Sequence, residues 1–261
     1  MKNSGGFDVE AFGAHFRLTA GCADACATLD QYAFPWLKRV ATKAGKPDVA
    51  IRIDQAAGEF RLLANDALVA TAAEPLGLVR ALIQVLDETV VRRLTALRAI
   101  HAGTVMYGDR VLLFPGASHA GKSSLVREMV RRGATYFSDE YALVDAEGLV
   151  HPYPRPLLVR DGGPEQHPVL ARELEARIGD APAPLGWIFA LAYSKESEWS
   201  VAPVSQGEAL MMLLCNTPHT LAESTEMVSF FQRAVANASC FAGLRSEAPD
   251  AASRIMELIT G

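Results

Sequence analysis

The sequence predicts an α/β protein with two domains, and three observations support that prediction. A short apolar strand leads directly into a glycine-rich turn and then a helix over residues 111–131. Residues 187–193 form a continuous apolar run, which is typical of a strand buried on both faces of a parallel sheet. Shorter alternating strands precede residue 99, where the pattern changes. We therefore expect a small N-terminal α+β domain over 1–98 and an α/β domain over 99–261.

Composition limits the classes of function. Half of the 261 residues are apolar, so a sizeable core can be buried. The net charge of −5 provides no basic surface for a nucleic acid. No apolar run approaches the roughly 20 residues that a membrane-spanning helix needs, and residues 1–6 lack the apolar core of a signal peptide. We expect a cytoplasmic protein without nucleic-acid or membrane partners.

The four cysteines predict neither a disulfide framework nor a zinc site. Cys22 and Cys26 are four residues apart in an apolar, helical stretch and can face the same way. Burial as small hydrophobic side chains is the favoured interpretation, because a metal pair would need two further ligands that the sequence does not place.

The N-terminal domain shows secondary-structure patterns but no catalytic constellation. Alternation over 7–18 predicts one or two half-buried strands with a shift near Gly13, and His15 is expected to be structural. The other predicted elements are a helix over 23–32, a meander of strands at 47–53, 59–63 and 67–71, and an amphipathic helix over 76–98. We expect this domain to pack on the second one and to bind a substrate or partner.

A phosphate-loop pattern, G-x-x-x-x-G-K-[ST], is the strongest signal in the chain. The residues expected to bind the nucleotide are Gly116, Ala117, Ser118, His119, Ala120, Gly121, Lys122, Ser123 and Ser124. The two glycines let successive amide groups turn inward and form a cradle for anionic oxygens, and the following helix directs its positive end there. Lys122 can reach the terminal phosphates, and the Ser123 hydroxyl can hold a magnesium ion.

The surroundings of this loop favour phosphate binding over a plain glycine-rich turn. Residues 100–114 predict a hairpin that turns at Gly108-Asp109 and delivers the loop. After the loop, Leu125, Val126, Met129 and Val130 recur at helical spacing, and Gly133 stands where a left-handed helix cap is expected.

Two adjacent acids follow the loop helix. Residues 135–144 predict an apolar strand with Asp139 and Glu140 at its carboxyl end, where ligands gather in open α/β sheets. Phosphoryl transfer needs an acid for the metal ion and a base for the attacking hydroxyl. We assign Asp139 to the base or to both tasks and Glu140 to the metal side, with Ser123. An exposed acidic turn is the alternative.

These residues together resemble the HPr serine kinase/phosphorylase superfamily. The resemblance is carried by Ile100-His101, the phosphate loop, Ser138-Asp139-Glu140 and Tyr153-Pro-Arg-Pro156, and it is closest to the HPr-kinase-related proteins found beside peptide and cofactor biosynthesis genes. It implies a P-loop kinase domain of the HPr-kinase/PEP-carboxykinase-like type that uses ATP and Mg²⁺. His101 would match the family's histidine, Asp139 its catalytic base, and Arg155 would lie near the phosphates.

The resemblance also implies a class of acceptor. The second, glycine-rich signature of true HPr kinases is not recognisable and the N-terminal domain differs, so HPr as substrate and phosphorylase activity are not carried over. Compact relatives resemble tailoring kinases that phosphorylate a serine at the carboxyl end of a lasso-peptide precursor, and a serine hydroxyl of a peptide or protein is therefore the expected acceptor. The alternatives are a small hydroxyl-bearing molecule as acceptor and a non-catalytic, nucleotide-dependent peptide-binding module.

A simple ATPase motor is disfavoured because no remote second acid motif is found. Relatives often form rings, so a homo-oligomer is one alternative for the assembly.

The remaining chain predicts further elements of the second domain. They are a hairpin turn at 145–148, a strand at 157–160, a polar lid or substrate loop at 161–167, a helix at 169–178, a proline-broken linker at 180–184, an edge strand at 199–204, a helix at 206–215, and helices at 221–241 and 250–259. Ser205 and Glu208 form the capping box of the helix at 206–215. In the polar loop, Glu165 and His167 are expected to be solvated, with contact to a substrate as the alternative. Arg233 and Arg245 are expected to be salt-bridged on the surface, with contact to an acidic substrate as the alternative.

Overall fold

The chain is a mixed α/β protein that divides into two compact units. The computed structural model describes residues 6–33, 36–42, 45–116, 121–160, 166–218 and 225–261. The first unit comprises residues 1–94 and 160–168, and the second comprises 95–159 and 169–261. The sequence places the boundary after residue 98 and does not predict that 160–168 belongs to the first unit. Among the described residues, every helix is too short or too polar to cross a bilayer.

The first unit contains a six-stranded sheet and two α-helices. Its elements are β1 (Gly6–Ala11), β2 (Ala14–Ala20), α1 (Ala23–Tyr32), β3 (Lys38–Val40), β4 (Val49–Ala56), β5 (Glu59–Ala64), β6 (Ala67–Ala72), a 3-10 helix (Pro75–Leu78) and α2 (Val79–Arg93). The strand order is β3-β1-β2-β4-β5-β6, and only β2 and β4 among these neighbours run parallel. The predicted strands, turn at Gly13 and helix α1 are confirmed.

The long helix predicted over 76–98 is shorter than expected. Its apolar stripe is real, because Leu82, Leu86 and Val90 are fully buried at i, i+4 spacing. The helix nevertheless ends at Arg93, since Leu94 adopts an extended backbone. Periodicity alone did not show this stop, because Leu94 and Leu97 continue the apolar spacing.

A buried carboxylate explains the histidine of the first unit. Asp8 is almost inaccessible to solvent and accepts hydrogen bonds from Arg17 Nε at 2.8 Å and Nη2 at 3.0 Å, while His15 Nε2 lies 3.0 Å from its Oδ2. A buried charge needs such partners. His15 is therefore a structural histidine, as predicted.

The second unit contains a mixed sheet covered by helices. Its strands are β7 (Arg98–Tyr107), β8 (Arg110–Pro115), β9 (Thr135–Ser138), β10 (Tyr141–Val144), β11 (Leu149–His151), β12 (Leu157–Val159), β14 (Ala183–Tyr193), β15 (Ala202–Pro203) and β16 (Ser239–Arg245). Its helices are α3 (Lys122–Arg131), a 3-10 helix (Ala171–Leu174), α4 (Gln206–Cys215), α5 (Thr225–Val235) and α6 (Ala248–Thr260). Strand β13 (His167–Val169) spans the point where the chain passes from the first unit to the second.

The sheet of the second unit is layered between helices. Its order is β11-β10-β7-β8-β14-β16-β15, with β9 also paired to β7. Strand β14 runs parallel to both β8 and β16, as its apolar composition predicts, and β15 lies at the edge. Along β8, Val111 and Leu113 join the cluster with α4 and α5, whereas Leu112 and Phe114 join the cluster with α3 and α6. This alternation follows from the two-residue period of a strand.

Two helices predicted in the second half of the chain are wrong as stated. The helix expected over 169–178 is instead the end of β13 followed by one 3-10 turn. The helix expected over 221–241 is α5, after which the chain forms β16. Residues 239–245 form a short, mostly apolar segment. Its strand conformation depends on pairing with β14, and the local sequence pattern does not reveal that pairing. The linker expected at 180–184 is also shorter, because β14 begins at Ala183.

Other expectations for this unit are confirmed. The hairpin of β7 and β8 turns at Gly108-Asp109, and Gly133 follows α3 with φ +92°. The Ser205 and Glu208 capping box opens α4, with the Ser205 Oγ accepting from Glu208 N at 3.2 Å. The prediction of one strand at 135–144 is wrong, because this stretch forms two strands, β9 and β10, with the two acids between them.

Gly103 allows α3 to lie close to β7. A Cβ atom at this position would lie 2.6 Å from Val126 Cγ2 and 3.6 Å from Lys122 Cβ. The first of these distances is a steric clash, so only glycine lets the helix pack at this depth. Gly103 therefore sets the height of Lys122 above the sheet.

We expect Gly103→Ala to destabilise the protein by about 1–3 kcal/mol, since overpacking must push α3 away from the strand. Urea unfolding of the variant, compared with wild type, measures this effect. Val126→Ala serves as the matched control, because it removes the Cγ2 atom that the new methyl group would meet. The double variant Gly103→Ala/Val126→Ala should be more stable than the sum of the two single changes predicts, and strict additivity would contradict the packing argument.

Candidate functional site

The predicted phosphate loop connects β8 to α3, with Gly116 directly after the strand and Gly121 directly before the helix. Gly121 adopts a left-handed backbone, with φ +77°, at the position that precedes the helix, and Lys122 is the first helical residue. At the other end, Gly116 N donates a hydrogen bond to His101 O at 3.2 Å. Ala117, Ser118, His119 and Ala120 lie outside the described residues, so their predicted contacts with a nucleotide stay predictions.

The Lys122 side chain contacts the other end of the motif. Its side chain is buried, and Nζ donates to Gly116 O at 2.9 Å, which links the two glycines of the motif. Burial lowers the pKa of the Lys122 ammonium, although the nearby charges of Glu140 and Asp139 oppose that change. A buried cation at the amino end of a helix suits an anionic ligand. Ser123 and Ser124 follow in the first turn of α3, both partly exposed.

Asp139 lies at the centre of the site. It follows β9, is fully buried, and its Oδ2 accepts hydrogen bonds from Ser123 Oγ at 2.9 Å and Leu158 N at 3.2 Å. Burial raises the pKa of the Asp139 carboxyl, while the charge of Arg155 and the Ser123 hydrogen bond pull it back. Within the described part of the chain, Oδ1 accepts no hydrogen bond and lies 3.5 Å from Arg155 Nη2. The structure therefore brings the predicted acid and the predicted loop serine together.

Glu140 is the more strongly acidic of the two carboxyls. Its Oε1 lies 3.2 Å from His101 Nδ1, and its Oε2 lies 3.6 Å from Arg155 Nη2. Burial opposes ionisation, but the nearby His101 ring and the charges of Arg155 and Lys122 together lower the pKa of Glu140 to about 2. The His101 ring also packs on Tyr141, with ring centroids 4.5 Å apart. His101 thus contacts the second acid rather than the first.

A short turn places the two acids. Strands β9 and β10 both pair with β7 at successive positions, and the chain steps between them at Asp139 and Glu140. Ser138 Oγ accepts hydrogen bonds from Glu140 N at 3.4 Å and Tyr141 N at 3.3 Å, while Ala102 N donates to Glu140 O at 3.0 Å. These bonds fix the backbone from which both carboxylates project.

Arg155 lies between the two acids. Its side chain is 2% exposed, and Nη1 donates to Pro156 O at 2.8 Å. The Tyr136 hydroxyl donates to the Arg155 carbonyl at 2.8 Å, which fixes the proline-flanked segment that carries it. The structure thus brings Arg155 together with Lys122, Asp139, Glu140 and His101.

The donor set suits a magnesium ion. Mg²⁺ binds oxygen ligands and takes one or two carboxylates together with substrate phosphates and water. Ser123 Oγ, Asp139 and Glu140 offer such oxygens, and the buried Asp139 Oδ1 is an acceptor without a hydrogen bond from the described residues. Among the residues that the structure describes, no group of three or more His, Cys, Asp or Glu side chains is arranged to hold a metal ion. Two acids and a hydroxyl fit a metal shared with a phosphate ligand better than a closed protein site.

The sequence interpretation of Arg245 is wrong. Arg245 was expected on the surface, but its side chain is 2% exposed, and Nη2 donates to Gly121 O at 3.1 Å. Arg233 is exposed on α5, as expected. Arg245 lies at the end of an apolar run, and that position is the sequence feature that could have indicated its burial. The feature is informative only when residues 239–245 are known to form a strand.

Of the polar loop expected at 161–167, His167 begins β13 and is exposed, while residues 161–165, which include Glu165, lie outside the described residues.

Removal of the Arg155 charge should destabilise the site. We expect Arg155→Met to lower the free energy of unfolding by about 3–5 kcal/mol, because it leaves buried carboxylates without their cation. Urea unfolding monitored by circular dichroism measures this loss. Combining Arg155→Met with Asp139→Asn should recover part of it, since the second change removes one of the stranded charges. If the two effects simply add, Arg155 does not compensate Asp139.

Comparison with solved structures gives a distant likeness. No protein-family model and no curated protein matches the chain. Among solved structures, it is similar to the Hpr(Ser) kinase/phosphatase from Coxiella burnetii, with 12% sequence identity and a TM-score of 0.32 over 62% of this chain and 97% of that one. This is a distant structural relation, and the site's own residues are the basis for a proposed function.

Proposed function

We propose that the protein is an ATP- and Mg²⁺-dependent phosphotransferase of the P-loop kinase type that moves the γ-phosphoryl group to a hydroxyl. The observation that carries this proposal is the hydrogen bond from Ser123 Oγ to Asp139 Oδ2 at 2.9 Å. It joins the hydroxyl of a phosphate-loop motif to a buried carboxylate one strand further along the chain. The alternative prediction for residues 139–140, an acidic turn exposed to solvent, does not account for a fully buried Asp139.

In the proposed complex, the triphosphate lies at the amino end of α3. Backbone amides of residues 116–124 and the positive end of the helix bind its oxygens, and Lys122 neutralises the terminal phosphates. Ser123, Asp139 and Glu140 would hold the magnesium ion, which supplies charge neutralisation at the phosphates when bound. Lys122 would exchange its contact with Gly116 O for a phosphate oxygen, as an ammonium with three donors can do.

Asp139 is the proposed general base. The acceptor hydroxyl forms a bond from its oxygen to the γ-phosphorus, and the bond between that phosphorus and the bridging oxygen breaks, leaving ADP with the electron pair. The proton of the hydroxyl passes to the Asp139 carboxylate. A raised pKa makes this carboxylate a stronger base than Glu140, whose pKa of about 2 keeps it ionised. The contrast between the two acids favours Asp139 for proton transfer and Glu140 for holding cations.

Arg155 and His101 complete the proposed machinery. Arg155 can neutralise charge that develops on the transferred group, and a guanidinium beside both acids keeps them from repelling each other. His101 lies 3.2 Å from Glu140 and orients that carboxylate. Its proposed contribution is therefore indirect, through the second acid.

The proposed acceptor is a serine hydroxyl of a peptide or protein, such as the carboxyl-terminal serine of a lasso-peptide precursor. This proposal rests on the motif resemblance described above. A homo-oligomer remains a proposal on the same basis. A small hydroxyl-bearing molecule and a peptide-binding module without transfer are distinguished by the experiment below.

We expect Asp139→Asn to retain most of the binding of Mg·ATP, because the amide keeps an oxygen that can face the metal ion. Phosphoryl transfer should fall by about 10²- to 10⁴-fold, the usual contribution of a general base. Lys122→Ala should instead weaken nucleotide binding roughly ten- to hundredfold, since it removes a charge-assisted contact. Isothermal titration calorimetry measures binding. Mass spectrometry of serine-containing peptides incubated with Mg·ATP measures transfer as the gain of one phosphoryl group.

Glu147→Gln is the matched control, because it neutralises an exposed acid in the turn after β10, at the other end of that strand from Asp139. It should alter neither readout. Nucleotide binding without transfer to any peptide or small alcohol would favour the binding module. Unchanged transfer in Asp139→Asn would show that Asp139 is not the base.

A further inference from the structure

We propose that Arg245 is a positioning residue for the phosphate site, acting through the backbone of the loop at Gly121. This inference deepens the proposed function and relies on its assignment of nucleotide phosphates to residues 116–124. Nothing in the motif itself includes Arg245, which is 124 residues further along the chain from Gly121. The fold brings them together because β8, β14 and β16 are parallel neighbours whose carboxyl ends meet at one edge.

The Arg245 guanidinium contacts the Gly121 backbone directly. Arg245 Nη2 donates to Gly121 O at 3.1 Å, and Nη1 donates to Ser246 O at 2.9 Å. The guanidinium carbon lies 5.2 Å from the centre of the Tyr193 ring, on the neighbouring strand. A Cβ atom at Gly121 would lie 2.3 Å from Nη2, so the guanidinium fills the space that only glycine leaves. The arginine is therefore held in one orientation against the end of the loop.

The physical consequence follows from the planar peptide bond. The Gly121 carbonyl and the Lys122 N–H belong to the same trans peptide unit and point in opposite directions. By binding the carbonyl on one side, Arg245 fixes the direction in which the Lys122 amide points on the other. That amide is among the donors that a phosphate loop turns toward its anion. Gly121 O also accepts the first helical hydrogen bond, from Leu125 N at 3.2 Å, so the same plane begins α3.

Charge adds to this effect. The guanidinium is buried, and a cation shielded from water acts over a longer range than one at the surface. It lies against the Gly121 carbonyl, directly before the first residue of α3. Arg245 therefore contributes positive potential to the phosphate site while it holds the amide direction, and both effects favour a bound polyphosphate.

The test measures binding of two probes, Mg·ATP and Mg·tripolyphosphate, to the full chain by isothermal titration calorimetry. Arg245→Met should weaken both by about tenfold or more, the loss expected for one charge-assisted contact. Arg245→Lys keeps the charge and one donor, so it should restore part of the affinity for both probes. Arg254→Met, which removes an exposed arginine on α6, is the control and should leave both affinities unchanged.

The two probes separate the possible outcomes. Equal losses for the two ligands, with recovery in Arg245→Lys, support a role at the phosphates. A loss for Mg·ATP alone would place Arg245 at the nucleoside and overturn the proposal, as would unchanged affinity for both. Thermal melting of each variant shows whether it is folded, and if Arg245→Met does not fold, Arg245→Lys decides by the same comparison of the two ligands.

Failure of the proposed function gives a different result. If wild type binds both probes and Arg245→Met loses them, but no acceptor is phosphorylated, the inference stands and the kinase proposal fails. If wild type binds neither probe, both fail together. If transfer occurs and Arg245→Met binds normally, only the inference fails.

Discussion

Burial of Asp139 is the constraint on which the rest of the site depends. A carboxylate without solvent contact is costly unless cations and donors surround it. The Ser123 hydroxyl at the start of α3, and the Arg155 guanidinium and Leu158 amide of the segment that leads into β12, meet that need. Each of these partners is thereby fixed relative to the start of α3. The interaction that stabilises the acid is the same one that aligns the proposed nucleotide and acceptor sites.

The arrangement of strands explains why these segments meet. Strand β8 ends at the loop, β9 ends at Asp139 and β16 ends at Arg245, and the pairing of the sheet brings these ends to one region. Since β9 is antiparallel to β7 and β7 is antiparallel to β8, β8 and β9 run in the same direction. Close packing of α3 at Gly103 then sets the height of Lys122 over that edge. The site is thus a consequence of sheet register and of a single glycine.

The parts of the site that depend on short-range sequence patterns could be predicted from the sequence, and those that depend on long-range pairing could not. The phosphate-loop motif, the helix after it and the acids at 139–140 depend on short-range patterns, and the structure places Lys122, Ser123, Asp139, Glu140, His101 and Arg155 together. Arg245 was missed because its environment depends on β16, whose strand conformation comes from pairing with β14 rather than from its own residues. The same reason explains the failed helix at 221–241. The assignment of residues 160–168 to the first unit likewise depends on long-range contacts that no local pattern encodes.

The balance of charge explains why a metal ion belongs in the proposed reaction. Lys122 and Arg155 face Asp139 and Glu140, and their opposite charges largely offset one another before any ligand binds. A triphosphate would bring further negative charge to this pocket, next to carboxylates that already use the nearby cations. Like charges at such distances repel strongly in a buried site. In the proposed complex, Ser123, Asp139 and Glu140 would hold a divalent cation that would offset this repulsion, and the buried Arg245 at Gly121 would lower it further. The acids that pair with Arg155 are thus the groups proposed to hold the metal ion when a nucleotide binds.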